Sequence, residues 1–123
     1  MVTLIQDADH PSTMGDYPTD AVLLAYGRAA YAYQLLETAM AQIFGYAEIG
    51  TKWTLGLLLA QHKNHPLLES NKTLTKALYK AMRKRNKIAH RLFLTAAQDW
   101  KEVAEYLTQS AAFFDALRLS LSQ

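Results

Sequence analysis

The spacing of apolar residues constrains the fold of this chain more than any other feature, because it follows the helical period over long stretches. Between residues 19 and 44, apolar positions recur every three or four residues. They are Leu23, Tyr26, Ala30, Tyr33, Leu36, Met40 and Ile43. Thr19 is a suitable N-cap, and Asp20 carries a negative charge that is favourable in a first helical turn. The pattern predicts a helix from residue 19 to about Phe44.

Three further stretches show the same periodicity; Gly45 and Gly50 lie before the first of them, and Pro66 lies at the start of the second. A leucine-rich helix is predicted for about 52–61, and another that begins between Pro66 and Thr73 and reaches about Leu94. A last helix is predicted from about Ala96 to the C-terminus, with Trp100, Ala104, Leu107, Ala111, Phe114 and Leu121 on one side. No strand-like alternation occurs. The predicted fold is all-α, an antiparallel four-helix bundle formed by residues 19–123.

Residues 1–18 contain aspartate, proline, serine and glycine in place of a helical pattern, which predicts a short flexible N-terminal arm. The first residues lack the basic start and long apolar stretch of a signal peptide. No apolar run of about 18 residues is present, so a membrane span is not expected. The chain has no cysteine, which excludes disulfides and thiolate metal sites and fits the cytosol. We therefore expect a cytoplasmic protein.

The charge of the chain is unevenly distributed. The net charge is only +2, yet eight of the thirteen basic residues and none of the eleven acidic residues lie between Lys72 and Arg91. The remainder of the chain is net acidic. This asymmetry favours a polyanionic partner.

On an ideal helix, residues 73–94 divide into three faces. An apolar stripe consists of Leu74, Ala77, Leu78, Ala81, Ile88 and Leu92. A basic face consists of Lys76, Lys80, Arg83, Lys84, Lys87 and Arg91. A mixed face consists of Tyr79, Met82, Asn86, His90 and Phe93. Such a division is typical of a helix that packs on one side and binds on another.

Arg85 interrupts the apolar stripe, between Ala81 and Ile88 at helical spacing. An arginine in such a place needs a partner or a function, or else reaches to the rim of the core. Asn86 and His90 are four residues apart and therefore neighbours on the helix surface. Each feature has an ordinary structural interpretation, such as a solvated basic face or a packed histidine. Their coincidence within six residues favours a functional site.

The segment from Arg85 through Asn86 to His90 resembles the signature of the HEPN superfamily, in which arginine, a polar residue that is often asparagine, three more positions and histidine occur late in a helix. Members are mostly compact helical dimers. Many are metal-independent ribonucleases of toxin–antitoxin, phage-defence and RNA-processing systems, and others are inactive binding modules. The resemblance implies catalytic roles for Arg85, Asn86 and His90, and for a toxin it implies an antitoxin or other protein partner. Leu92 stands where many toxins of this type carry a modified tyrosine, and Arg83 also has a permitted spacing from His90.

The residues themselves favour RNA cleavage without a metal or cofactor. No carboxylate cluster suited to two-metal chemistry is visible, and His62 and His65 lack a third ligand. The 2′-hydroxyl of RNA is a built-in nucleophile, so the reaction needs a base, an acid and a cation near the phosphate. Histidine suits the first two roles and arginine the third. The basic face would hold the RNA backbone.

Two observations favour a site shared by two chains. The sequence offers one histidine near the motif for two proton-transfer roles, and on an ideal helix Arg85 and His90 point about 140° apart. Either the helix is distorted at the motif or the residues act from different chains of a homodimer. Tyr79, Met82 and Phe93 are predicted to lie at the dimer interface, although packing within one chain explains them equally well. Glu37 either pairs with Arg85 or lies on the polar surface of its helix.

Three other functions are consistent with the sequence. The first is a catalytically silent HEPN module that binds RNA or a protein. The second is a DNA-binding protein that places its basic helix in the major groove, although this helix carries few base-reading residues. The third is a structural dimer with a solvated basic face.

Overall fold

The computed structural model describes residues 18–46, 54–94 and 100–122, with residues 91–94 described as backbone only. The helices are α1 (Asp20–Ile43), α2 (Leu55–Gln61), α3 (Pro66–Ser70), α4 (Lys72–Leu94) and α5 (Trp100–Leu121). No strand occurs within these ranges, so the predicted all-α class is confirmed. The predicted arm lies outside the described residues apart from Pro18.

Helix α1 begins and ends where its sequence provides caps. The Thr19 side chain accepts the Val22 N–H at 3.2 Å, as expected for an N-cap. At the other end Gly45 has a φ of 93°, a conformation that glycine adopts without strain. The Tyr46 N–H then donates to the Ala41 carbonyl at 2.9 Å, which satisfies one of the last free carbonyls of the helix.

The described ranges contain five helices, so the prediction of four is wrong. The extra element is α3, a single turn with Pro66 at its start and the ring Nδ1 of His65 as the acceptor at its N-cap. Asn71 then separates α3 from α4, and its side chain accepts the Leu74 N–H at 3.0 Å. This side-chain cap starts α4 afresh at Lys72, because asparagine competes well at an N-terminus and poorly inside a helix.

The three long helices do not all run antiparallel to one another, so the predicted antiparallel four-helix bundle is not confirmed. Helix α4 runs antiparallel to α1, since Ile88 and Ala89 line a cavity with Tyr26 whereas Arg85 lies over Tyr33. Helices α1 and α5, which form the largest interface, run in the same direction. Their rings Tyr33 and Phe114 are in contact, and their C-terminal residues Ile43 and Leu121 line one groove. The short α2 and α3 occupy the chain between α1 and α4.

The buried residues confirm the predicted apolar sides of α4 and α5. On α1, the buried side is rotated about the helix axis relative to the predicted stripe. Leu78, Ala81, Ile88, Leu107 and Phe114 are buried. On α1 the buried residues are Val22, Ala25, Ala29, Ala32, Tyr33, Leu36, Met40 and Ala41. Leu23 and Ile43, although part of the predicted stripe, are 52% and 38% exposed. None of the described helices is both long and apolar enough to cross a membrane.

Candidate functional site

The predicted catalytic residues all lie on α4, which is an uninterrupted α-helix from Lys72 to Leu94. Arg85, Asn86 and His90 are exposed, whereas Ala81 and Ile88 beside Arg85 are buried. Because the helix continues through the motif, local distortion does not bring Arg85 and His90 onto one face. The two side chains leave α4 about 140° apart, as ideal helical geometry requires.

The Arg85 side chain reaches the rim of the core and faces α1. Its guanidinium carbon lies 5.8 Å from the centre of the Tyr33 ring, within the range of a cation–π contact. Its Nη1 donates to the Oδ1 of Asn86 at 3.4 Å, which is a long hydrogen bond. The arginine therefore has a ring beneath it and an amide beside it, while most of its donors face solvent.

Arg85 lines a cavity of about 140 Å³ between α1, α4 and α5, which we call the Arg85 cavity. Its polar or ring-bearing lining residues are Tyr26, Tyr33, Gln34, Glu37, Arg85 and Phe114. The other lining residues are Ala29, Ala30, Ile88 and Ala89. Three alanines on facing helices leave the depression open, because their side chains are too short to fill the space between the helices.

Glu37 is the acidic residue of this cavity and is half-buried. Its Oε2 accepts the Leu55 N–H at 2.7 Å, so the carboxyl also holds the first turn of α2. Burial raises the pKa of the Glu37 carboxyl, while the Leu55 N–H and the Arg85 guanidinium act in the opposite direction. The sequence left open whether Glu37 pairs with Arg85 or lies on the surface. The two residues interact electrostatically across one cavity, but within the described ranges they form no ion pair closer than 4.0 Å.

Tyr33 forms the floor beneath Arg85. Its ring packs edge-to-face on Phe114, with ring centres 5.0 Å apart. Burial raises the pKa of the Tyr33 hydroxyl above its ordinary value; Glu37 adds to this rise and Arg85 opposes it. The sequence placed Tyr33 in an apolar stripe and did not select Gln34. The spacing of Tyr33 and Gln34 could have identified them as neighbours of Glu37. They lie four and three positions before it and therefore share its face of the helix.

His90 lies apart from this cavity. It is exposed and does not line the Arg85 cavity. Among the residues that the structure describes, His90 has no hydrogen bond, ion pair or ring contact. One chain therefore brings Arg85, Asn86, Tyr33 and Glu37 together, but it does not bring His90 to them.

The basic face lies beside α5. Lys76, Lys80, Arg83 and Lys87 are exposed and Lys84 is half-buried; the Arg91 side chain lies outside the described residues. The Lys84 ammonium is 5.0 Å from the centre of the Phe113 ring and 5.7 Å from that of Tyr106.

Two lysines of the basic face thus have a structural role besides any role in binding, because Lys80 also lies over Phe113, at 5.5 Å. Burial lowers the pKa of the Lys84 ammonium, and the like charges of Lys80 and Lys87 lower it further. An anion bound here would relieve this repulsion.

The predicted dimer-interface residues pack only partly against their own chain. Tyr79 and Met82 are half-buried against the core of their own chain. Met82 reaches α2, where a Cβ on Gly56 would lie 3.0 Å from its sulfur. The side chain of Phe93 lies outside the described residues. The exposed remainder of Tyr79 and of Met82 is the part that a second chain could contact.

The His62 side chain packs against aromatic rings, and the His65 side chain caps a helix. The His62 ring stacks on Phe44 with centres 4.3 Å apart, and its Nε2 is 2.9 Å from the Tyr46 hydroxyl. His65 caps α3 through Nδ1. The described residues contain no group of three or more histidine, cysteine, aspartate or glutamate side chains that would hold a metal. These contacts give both histidines a structural explanation.

Comparisons with protein-family models, curated proteins and solved structures found no match to this chain. The resemblance to the HEPN superfamily therefore rests on the motif and on the all-α class. It stays a prediction.

Proposed function

We propose that this protein is a metal-independent endoribonuclease of HEPN type that acts as a homodimer. The observation that carries the proposal is the free exposure of Arg85, Asn86 and His90 on one helix that also presents an exposed row of basic side chains. Among the described residues no partner holds the exposed His90 ring, so it is accessible to a ligand or to a second chain.

The chemistry follows from the properties of these side chains. A neutral His90 would take the proton from the 2′-hydroxyl, whose oxygen then attacks the adjacent phosphorus. The bond to the 5′-oxygen breaks, and a protonated His90 of the partner subunit would give that oxygen its proton. Arg85 would stabilise the negative charge on the phosphorane, with Asn86 orienting its guanidinium. The products are a 2′,3′-cyclic phosphate and a 5′-hydroxyl.

A site shared across a two-fold axis is part of the proposal, because α4 is regular and directs Arg85 and His90 to different sides. Two antiparallel copies of α4 would meet this requirement by placing Arg85 of one chain near His90 of the other. Lys76, Arg83 and Lys87, which are exposed and free of ring contacts with α5, would hold the phosphates on either side.

The decisive experiment is incubation with a labelled single-stranded RNA and its DNA equivalent in excess EDTA. We expect cleavage of RNA alone, with loss of at least about a hundredfold in rate for His90→Ala and for Arg85→Ala. Arg28→Ala is the control, since Arg28 is an exposed arginine of α1 outside the Arg85 cavity. Unchanged cleavage by His90→Ala would refute the assignment.

Mixing wild-type chains with an excess of His90→Ala chains tests the shared site. A cleft that uses His90 of both chains predicts that the mixed dimers lose the activity of their wild-type chain. A site that is complete within each chain predicts that every wild-type chain retains its activity in the mixed dimer.

A non-catalytic module that binds RNA or a protein, such as an antitoxin, is the second candidate. The observation that favours it is the separation of His90 from Arg85 within one chain. Salt-dependent RNA retention by a dimer that leaves the RNA intact would support this alternative over the nuclease.

A further inference from the structure

The Arg85 cavity contains polar side chains that the proposed phosphodiester cleavage does not use. Arg85, at its exposed rim, has a role in the proposed reaction, but Glu37 and Gln34 have none. A half-buried carboxyl beside an exposed amide is a pattern that recognises a ligand by its hydrogen bonds.

One oxygen of Glu37 is a charged acceptor of this cavity that no described residue occupies. Oε2 already receives the Leu55 N–H at 2.7 Å. Oε1 has no hydrogen-bond partner among the described residues, although the carboxyl is half-buried. A carboxylate oxygen that is open to the cavity is a strong acceptor for a ligand. The cavity therefore favours a ligand with N–H or O–H donors beside Glu37.

The second requirement comes from the cavity rim. Gln34 and Arg85 are both exposed there and can supply N–H donors, and Gln34 is three residues from Glu37 on the same face of α1, so a ligand with an acceptor next to its donors fits. The short side chains of Ala29, Ala30 and Ala89 line the rest of the cavity and leave room for a flat, uncharged body. Because the rim lies at Arg85, the sugar and phosphate of such a ligand would remain outside, next to the guanidinium.

Among the RNA bases, guanine alone has two adjacent donors on one edge, N1–H and N2–H, with the acceptor O6 beside them. Adenine and cytosine present one donor next to an acceptor, and uracil presents one donor between two acceptors. Each of these three would set a ring acceptor or carbonyl against the carboxyl oxygen of Glu37 and leave a buried polar group unpaired.

We propose that the Arg85 cavity binds the guanine base adjoining the scissile phosphate, with Glu37 accepting from N1–H and N2–H and Gln34 donating to O6. This assignment deepens the proposed nuclease function and rests on it for the identity of the ligand as RNA. It makes Glu37 and Gln34 the residues that determine sequence specificity, and it leaves Arg85 for the phosphate.

Calorimetric titration of the full chain with GMP, AMP, CMP and UMP tests the cavity without reference to catalysis. We expect GMP to bind at least tenfold more tightly than the others. Glu37→Gln should abolish this preference, because the amide retains an oxygen for the Leu55 N–H but offers its NH₂ group to guanine donors. Gln34→Ala, at an exposed position, should weaken GMP binding without affecting the fold.

Glu69→Gln is the matched control, since Glu69 is exposed on α3 and does not line the Arg85 cavity. It should retain the full preference for GMP. Equal affinity for the four nucleotides, or an undiminished preference for GMP in Glu37→Gln, would overturn the inference.

An oligoadenylate with one internal guanosine separates this inference from the proposed function. Cleavage confined to a phosphate adjoining the guanosine supports both, and uniform cleavage refutes guanine recognition while supporting the nuclease. Selective GMP binding without any cleavage supports the guanine site and refutes the nuclease.

Discussion

Phe113 and Phe114 are adjacent on α5 but lie in opposite environments, which makes them a sensitive test of the helix packing that forms the Arg85 cavity. Phe114 is fully buried and packs edge-to-face on Tyr33, with ring centres 5.0 Å apart and an interplanar angle of 67°. Phe113 is half-buried beneath the ammonium groups of Lys80 and Lys84. A change of one position in the register of α5 would move one of these rings into the environment of the other.

The expected free-energy changes follow from these contacts. Phe114→Ala removes a buried ring and leaves a void, which should lower the free energy of unfolding by about 3–5 kcal/mol. The edge-to-face pair with Tyr33 contributes roughly 0.5–1.5 kcal/mol of that loss. Phe113→Ala removes a half-buried ring and its cation–π contacts with Lys80 and Lys84, for a loss of about 1–2 kcal/mol.

Urea denaturation at neutral pH measures both changes as shifts of the transition midpoint. The slope with denaturant should remain that of the wild type, so that the midpoint reports stability alone. A larger loss for Phe113→Ala than for Phe114→Ala would refute the packing of α5, and with it the position of Tyr33 beneath Arg85. Losses of equal size would contradict the difference in burial on which the cavity depends.

Three further predictions test the backbone, the titration of the cavity and the basic face. Gly27→Ala should raise the free energy of unfolding by about 0.5–1 kcal/mol, because no atom of the described residues lies within 4 Å of the added methyl in α1. Gly45→Ala should lower it by roughly 1–2 kcal/mol because of its φ of 93°, and equal thermal melting of the two variants would contradict this. The pKa of the Glu37 carboxyl is raised in the folded state, so the folded chain binds this proton more tightly than the unfolded chain does. The group therefore destabilises the fold increasingly as the pH rises from the unfolded pKa through the folded pKa. Glu37→Gln should therefore exceed wild type in stability at neutral pH and lose that advantage on acidification, and a constant difference across chemical denaturation curves at several pH values would rule this out. Lys87→Gln should reduce the salt dependence of RNA binding, measured as the slope of log K against log salt, by roughly 0.7, whereas Lys101→Gln on α5 should leave it unchanged.

The sequence determined the local features of this protein, because they depend on neighbours within one or two helical turns. The period of the apolar residues predicted the class and the long helices. Thr19 marked the start of α1, because its side-chain oxygen accepts one of the N–H groups that a helix leaves unpaired at its N-terminus. The basic and apolar faces of α4 followed from the fixed rotation per residue, and so did the divergence of Arg85 and His90. The break at Asn71 was not predicted, since asparagine caps a helix only when the backbone before it turns away.

Only the tertiary structure decided what surrounds those features. The apolar residues of α1 are too numerous for one stripe, so packing against the other helices selected Val22 and Ala29 for the core and left Leu23 exposed. The direction of α5 relative to α1 depends on contacts between residues about eighty positions apart, such as Tyr33 and Phe114, which no local spacing encodes. The same long-range packing brought Glu37 to Arg85 across a cavity. Periodicity assigns a residue to a face of its own helix, and the partner of that face is fixed by how the helices pack.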